Sequence, residues 1–319
     1  MTYFSIRAVS KTYESEKALF PFSLELAKGE LLSIVGESGS GKSTLLRIMA
    51  GLEVQDEGEV WLKENEILNP KQKLVSGYDE IKLIYQNFHL YPNSTVRENI
   101  TRPLLKYDAA YRENRVTELM NLLGLVELAD RFPRELSGGQ QQKVAIAKAF
   151  GVEPDVLLLD EPFSNLDSIQ TAKLITELKD LFKQLGTTVV LVTHDLNDAL
   201  KLTDNLLILK KGKVVQKGSS QKLCQEPKSK YVARLFSIIN RLPNQEYSYI
   251  RASDVKLRTS RGILAHVEDL RFLVHYNSLK VKIKESGQIW EVDDPQRRFQ
   301  IGDRVYLSWD EQKLMILRN

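Results

Sequence analysis

Residues 1–30 alternate apolar and polar side chains in short pieces, with Phe4, Ile6 and Val9 followed by Phe20, Phe22, Leu24 and Leu26. A period of two predicts half-buried antiparallel strands, because successive side chains of a strand face opposite ways. LLSIV (31–35), IKLIY (81–85), VLLLDEP (156–162) and TTVVLV (187–192) are instead short apolar runs, which predict strands buried on both faces. Val60, Leu62 and Ile67 anchor further strands over 59–68, and NLLILKKGKVVQKG (205–218) predicts a hairpin around a Lys-Gly turn. Between residues 95 and 128, apolar residues recur every three or four positions through Leu104, Leu105, Val116, Leu119, Met120, Leu122 and Leu123. That spacing predicts helix, as does the set Leu174, Ile175, Leu178, Leu181 and Phe182. KYVARLFSII (230–239) reads as a short helix, and the polar, proline-containing NRLPNQE then marks a boundary near residue 240. From Tyr247 onward, short strands between Gly, Asn and Asp turns predict a small barrel or sandwich with Trp290 and Trp309 in its core.

Composition narrows the class mainly by exclusion. The 319 residues carry 45 basic and 42 acidic side chains, a net charge of +3, scattered along the chain. Neither a nucleic-acid footprint nor one for an anionic membrane is present. Cys224 is the only cysteine, so one chain can form no disulfide and no cysteine zinc site, and it reads as an inert thiol in a reducing compartment. MTYFSIRAVSKTY lacks the apolar core of a signal peptide, and no apolar run approaches the roughly 20 residues that span a bilayer. The expectation is a cytosolic protein that meets a membrane only through a partner.

Chemistry enters at GESGSGKST, Gly36 to Thr44, between a predicted strand and a helix that meets a stop signal at Gly51. Gly36, Gly41, Lys42 and Ser43 occupy the fixed positions of the phosphate-binding loop, with Ser38, Gly39, Ser40 and Thr44 completing it. Glycines let backbone N–H groups approach a polyphosphate, a helix N-terminus adds partial positive charge, and Lys42 supplies a full one. Ser43 is then placed to put its hydroxyl on Mg²⁺.

Asp160 and Glu161 end an apolar run, and the carboxyl ends of strands are where open α/β sheets gather ligands. Two adjacent acids there cost desolvation energy unless a cation meets them. Asp160 fits the Mg²⁺ role and Glu161 the polarisation of an attacking water. His194 follows another such strand and points to the same ligand. In LSGGQQQKVAIAKAF, Ser137 and Gln140 have the spacing of a capping box, and the paired Gly138 and Gly139 weaken a first turn unless something approaches the backbone closely. Asp167 with Gln170 has the same spacing and reads equally as a helix cap, and Tyr13 in SKTYESEKA reads locally as half-packed surface.

The order phosphate loop, Gln86 after a strand, LSGGQ (136–140), LLLDEP, NLD (165–167) and strand-end His194 resembles the ATP-binding cassette (ABC) ATPases over roughly residues 1–235. LSGGQ is the specific element. The resemblance implies an α/β fold: a P-loop NTPase cassette with a RecA-like core, an antiparallel β subdomain and a helical subdomain at about 90–135, ending at 238. It implies that Tyr13 stacks on adenine, that Gln86 links Mg²⁺ to the helical insertion, that Glu161 is the catalytic base and that His194 holds the γ-phosphate. It further implies a head-to-tail homodimer in which Ser137, Gly138, Gly139 and Gln140 face the partner's ATP, and it counts Asp167 of NLD among the nucleotide-binding residues. Residues 239–319 resemble the small OB-like β-domain called TOBE of importer ATPases for sulfate, molybdate, iron, polyamines and sugars. The implied protein is therefore the ATP-hydrolysing motor of an importer on the cytoplasmic face of the cell membrane. Its partners would be an integral-membrane permease and, indirectly, an extracytoplasmic substrate-binding protein, with no nucleic acid. A soluble non-transport ABC ATPase is the alternative. One acting on DNA would need long heptad arms, which the short insertion lacks.

Overall fold

The computed structural model describes residues 2–164 and 166–318. The chain divides after Ser220 into two compact units. The first contains β1 (Phe4–Tyr13), β2 (Glu16–Leu26), β3 (Leu31–Val35), α1 (Lys42–Met49), β4 (Glu57–Leu62), β5 (Asn65–Glu66) and β6 (Ile81–Ile84). It continues with α2 (Val96–Thr101), α3 (Ala109–Leu122), α4 (Gly138–Phe150), β7 (Val156–Asp160), α5 (Ser168–Leu185), β8 (Thr188–Thr193), α6 (Leu196–Leu202), β9 (Asn205–Lys210) and β10 (Lys213–Ser219).

The period-two segments form an antiparallel sheet in the order β2-β1-β4-β5. The continuous apolar runs form a second sheet, β10-β9-β3-β8-β7-β6, parallel except at β10. Alternation within each buried strand feeds two cores. Leu157, Leu159, Val189 and Leu191 pack with Val96, Ile100, Val116, Leu119, Val144 and Ile146 of the helices. Val156, Leu158, Val190 and Val192 face the other way, onto Leu45, Leu46 and Met49 of α1 and Phe4 and Ile6 of β1. Helix α1 thus lies in the core between the two sheets and ends at Gly51, whose φ of 65° an L side chain rarely adopts. Each buried Leu, Ile, Val or Phe contributes about 1.5–3 kcal/mol.

The helical insertion is held by local caps. Thr95 and Glu98 form a capping box on α2 and Asp108 caps α3, while on α4, beyond the insertion, Ser137 with Gln140 forms a second box. No helix among the described residues is long and apolar enough to cross a membrane.

The second unit holds α7 (Ser220–Gln225), which begins at the division, then α8 (Lys230–Phe236), β11 (Ile239–Arg241), β12 (Ser248–Arg251), β13 (Lys256–Arg258), β14 (Ile263–Phe272), β15 (Asn277–Ile283), β16 (Ile289–Asp294), β17 (Arg304–Ser308) and β18 (Met315–Ile316). Helix α8 is shorter than the periodicity of KYVARLFSII predicts. Ser237 is extended, and Ile239 and Asn240 pair with Arg251 and Ile250, so sheet pairing overrides local helical spacing at that end. Two sheets, β11-β12-β18 and β13-β17-β14-β15-β16, enclose one core containing Trp290, with the half-buried Trp309 packed against it. The side-chain amide of Asn240 joins them by bonding both main-chain groups of Glu291, at 2.7 and 2.9 Å.

Candidate active site

Strand register decides what meets what. Val35 lies opposite Thr193, and Asp160 opposite Val192, so β3, β7 and β8 end together. The residues that follow are Gly36, Glu161 and His194. Gly36 N–H bonds the Thr193 carbonyl at 3.4 Å and Glu161 N–H the Val192 carbonyl at 2.9 Å.

The phosphate loop leaves no room for side chains at two glycines. A Cβ on Gly36 would lie 2.3 Å from the Leu209 carbonyl oxygen, and one on Gly41 2.4 Å from that of Ala18. Gly41, at φ 97°, is the N-cap of α1 and supplies no side-chain acceptor. The first-turn N–H groups of α1 therefore have no capping side chain, which suits an anion. Lys42 is buried, and its Nζ donates to the carbonyls of Gly36 and Glu37, both at 2.9 Å. The loop is thus wrapped around its own cation.

Ser43 Oγ donates to Asp160 Oδ1 at 3.0 Å. Asp160 is 8% exposed. Burial, and then the neighbouring Glu161 charge, push its carboxyl above the ordinary range despite the Ser43 hydrogen bond and the Arg47 and Lys42 charges. Glu161 reaches both ways, with Oε1 3.6 Å from Lys42 Nζ and Oε2 3.0 Å from His194 Nδ1. Its φ of 46° is left-handed, a conformation that costs a non-glycine residue about 1–3 kcal/mol. One device that holds it there is Ser164, whose Oγ donates to the Glu161 carbonyl at 3.0 Å and accepts from Gln86 Nε2 at 3.1 Å.

Together these residues line a cleft of about 550 Å³, bordered by Tyr13, Ser38, Gly39, Gly41, Lys42, Ser43, Thr44, Gln86, Asp160 and Glu161. Tyr13 stands at its mouth, 40% exposed, with Lys11 Nζ 5.0 Å from its ring centroid. Gly36 and the buried Ser40 lie behind the lining. His194 joins through Glu161 and borders an adjacent hollow of about 430 Å³. None of Ser137, Gly138, Gly139 or Gln140 lines the cleft of its own chain. Ser137 caps α4, and Asp167 accepts from the N–H groups of Ile169 and Gln170 at the start of α5. Asn165, of the NLD triplet, lies outside the described residues. Sequence reasoning missed Ser164 and the left-handed Glu161. Pro162 disfavours right-handed helical backbone at Glu161 but favours extended backbone there, so no local signal announces the left-handed turn.

A family model described as "ABC transporter" matches residues 19–164. The spermidine/putrescine import ATP-binding protein PotA of Bacillus cereus is 35% identical over 321 aligned residues, covering 96% of each chain. A probable sulfate/thiosulfate import ATP-binding protein CysA of Chlorella vulgaris is 40% identical over 235 residues, 73% of this chain and 98% of that protein. Among solved structures, a dimeric ATP-binding cassette, MJ0796, in a post-hydrolysis state with ADP and Pi is 35% identical, with a TM-score of 0.60 over 68% of this chain and 98% of that one. With a phosphate loop, paired strand-end acids and LSGGQ on a fold of this kind, the chain belongs to the ABC transporter family, as an ATP-binding and ATP-hydrolysing transport subunit.

Proposed function

We propose that this chain is the motor of an importer: ATP closes a homodimer, hydrolysis reopens it, and the helical insertion carries the motion to a membrane-embedded permease on the cytoplasmic face. A substrate-binding protein outside the membrane would deliver cargo to that permease. The observation that carries the reading is the meeting of Lys42, Ser43, Asp160, Glu161 and His194 at the carboxyl ends of the central parallel strands. The names of the relatives, all import ATP-binding proteins, support the transport direction. Similarity along the whole chain to polyamine import proteins makes a polyamine permease the first partner to test.

In this reading Lys42 and the α1 N-terminus bind the β- and γ-phosphates, and Tyr13 stacks on adenine. Glu161 takes a proton from water as its oxygen bonds to the γ-phosphorus and the bond to the β–γ bridging oxygen breaks, leaving ADP and phosphate. His194 orients the γ-phosphate. Ser43, Asp160 and Gln86 form an all-oxygen donor set that fits Mg²⁺, which needs few protein ligands beside phosphate and water. Bound there, the ion would neutralise developing phosphate charge. Ser137 to Gln140 complete the site from the partner, since a capped helix N-terminus with bare glycine backbone receives anions. We read residues 1–238 as the ATPase domain and 239–319 as the TOBE-like domain. The 235-residue match to a protein covered almost in full supports a cassette of that length.

Mixing tests the shared site. Ser137→Arg and Lys42→Ala chains should each be inactive alone, and together should recover hydrolysis at one site per heterodimer. No recovery argues against a site built from two chains. Copurification of the native complex identifies the permease, and a complex without a membrane subunit would remove the transport reading.

A further inference from the structure

Helix α4, which carries Ser137 at its start, is tied at its far end to the turn that follows Gln86. Lys148, in its last turn, donates from Nζ to the main-chain carbonyl of His89 at 2.7 Å. The same ammonium lies 4.4 Å from the ring centroid of Tyr91, and the Arg102 guanidinium lies 4.0 Å from that ring. Tyr91 is itself fixed. Its N–H bonds Asn99 Oδ1 at 2.8 Å, and the fully buried Asn99 amide donates to the carbonyls of Tyr91, Ser94 and Thr95.

The carbonyl that Lys148 holds belongs to a strained turn. Phe88 and His89 have φ of 60° and 45°, a left-handed pair that non-glycine residues keep only where their surroundings impose it. Phe88 packs in the core that includes Ile84, Ala145 and Ala149, and the rings of Tyr85 and His89 stack at 4.1 Å. Gln86 lies at the start of this turn, bonded through Ser164 to the Glu161 carbonyl. Burial first, and the Arg102 charge second, lower the pKa of Lys148, so its ammonium is held there against electrostatic opposition. What the cation supplies there is the bond to the His89 carbonyl and the contact with the Tyr91 ring.

We propose that Lys148 is a positioning residue for ATP hydrolysis: by tying α4 to the strained turn after Gln86, it makes the placement of Gln86 in the cleft follow the orientation of the helix that carries Ser137. A change in the orientation of α4 then registers in the chain's own cleft through Lys148, and in the partner's through Ser137. This rests on reading Gln86 as part of the hydrolytic site.

Steady-state hydrolysis by the full chain, with ATP varied, tests it in wild type, K148R, K148M, Q86A and K148M/Q86A. K148M should lower kcat about tenfold with KM changed less than about twofold, and K148R, which keeps a cation within reach of the carbonyl, should stay within about threefold of wild type. The double variant should be no more than about twofold slower than Q86A, because both changes remove one pathway. K148M that melts and turns over like wild type overturns the inference, as does a double variant whose losses multiply. If K148M does not fold, K148A, which likewise offers no donor, replaces it in the same comparison. Q86A at the wild-type rate would overturn the reading of Gln86 and the inference with it, whereas an impaired Q86A beside an intact K148M removes the inference alone.

Discussion

Oε2 of Glu161 lies 3.0 Å from Nδ1 of His194. An ionised carboxylate only accepts, so His194 is the donor in this contact. With Lys42 at 3.6 Å from the other oxygen, Glu161 occupies the gap between the two groups read as γ-phosphate contacts. In the proposed mechanism Glu161 therefore shifts aside as ATP enters.

Glu161→Gln keeps an acceptor for His194 and removes both the charge and the base. Turnover should fall at least about 100-fold while ATP binding persists, and an ATP-bound dimer should accumulate. Phosphate release together with gel filtration checks this. Near-normal turnover, or monomer alone in ATP, would sink the role given to Glu161.

Gly41→Ala tests the close approach of the loop. The added methyl meets the Ala18 carbonyl at 2.4 Å and Leu19 Cδ2 at 2.9 Å, at a φ of 97°. Backbone would have to move at the α1 N-terminus, and ATP affinity should drop at least about tenfold, equivalent to about 1.4 kcal/mol. Titration with a fluorescent ATP analogue reads the loss, and an unchanged Kd would show that the loop has slack.

Much of this site was legible because its chemistry is local. The phosphate loop, LSGGQ and the two acids each occupy consecutive residues whose spacing carries the meaning. What joins them is not local: Ser43 meets Asp160 across 117 positions, and Gln86 meets Ser164 across 78. Tyr13 reads as plain surface in sequence, since only the folded cleft places it beside the phosphate loop. The left-handed Phe88 and His89 carry no glycine to announce them. The end of KYVARLFSII was misread for a related reason, because β12 claims Ile239 and Asn240 from a distance.

Asp155 accepts from Lys63 at 2.8 Å and from the Tyr3 hydroxyl. Burial raises its pKa, but the Lys63 and Tyr3 bonds outweigh that, and the carboxyl sits below the ordinary range. With the folded pKa depressed, the stability this group contributes is present above its unfolded pKa and lost as pH falls through the folded one. Lys63 is half exposed, so screening limits the effect to about 0–1 kcal/mol. Asp155→Asn should lower Tm slightly at neutral pH and reach the wild-type value in acid. A difference that grows toward acid would reverse the sign argued here.

Asn240→Leu removes the amide that bridges the two sheets of the second unit and strands both main-chain groups of Glu291. Leaving such groups unpaired costs about 1–3 kcal/mol each if they stay buried. Calorimetry should show a lower transition for this unit, with the ATP-stabilised transition unmoved. Unchanged melting would mean that water replaces the amide.

The alignment of Val35 with Thr193, and of Asp160 with Val192, ties the packing of the cores to the placement of the site. Deleting one residue within β8 would turn Val190 and Val192 from one core to the other and, by the same step, draw His194 away from Glu161. Packing and catalysis would fail together, with no partly active intermediate between them. Insertions and deletions in this chain should therefore be excluded from its central strands and from the loops that follow β3, β6, β7 and β8, and tolerated only in connections that carry none of the site residues.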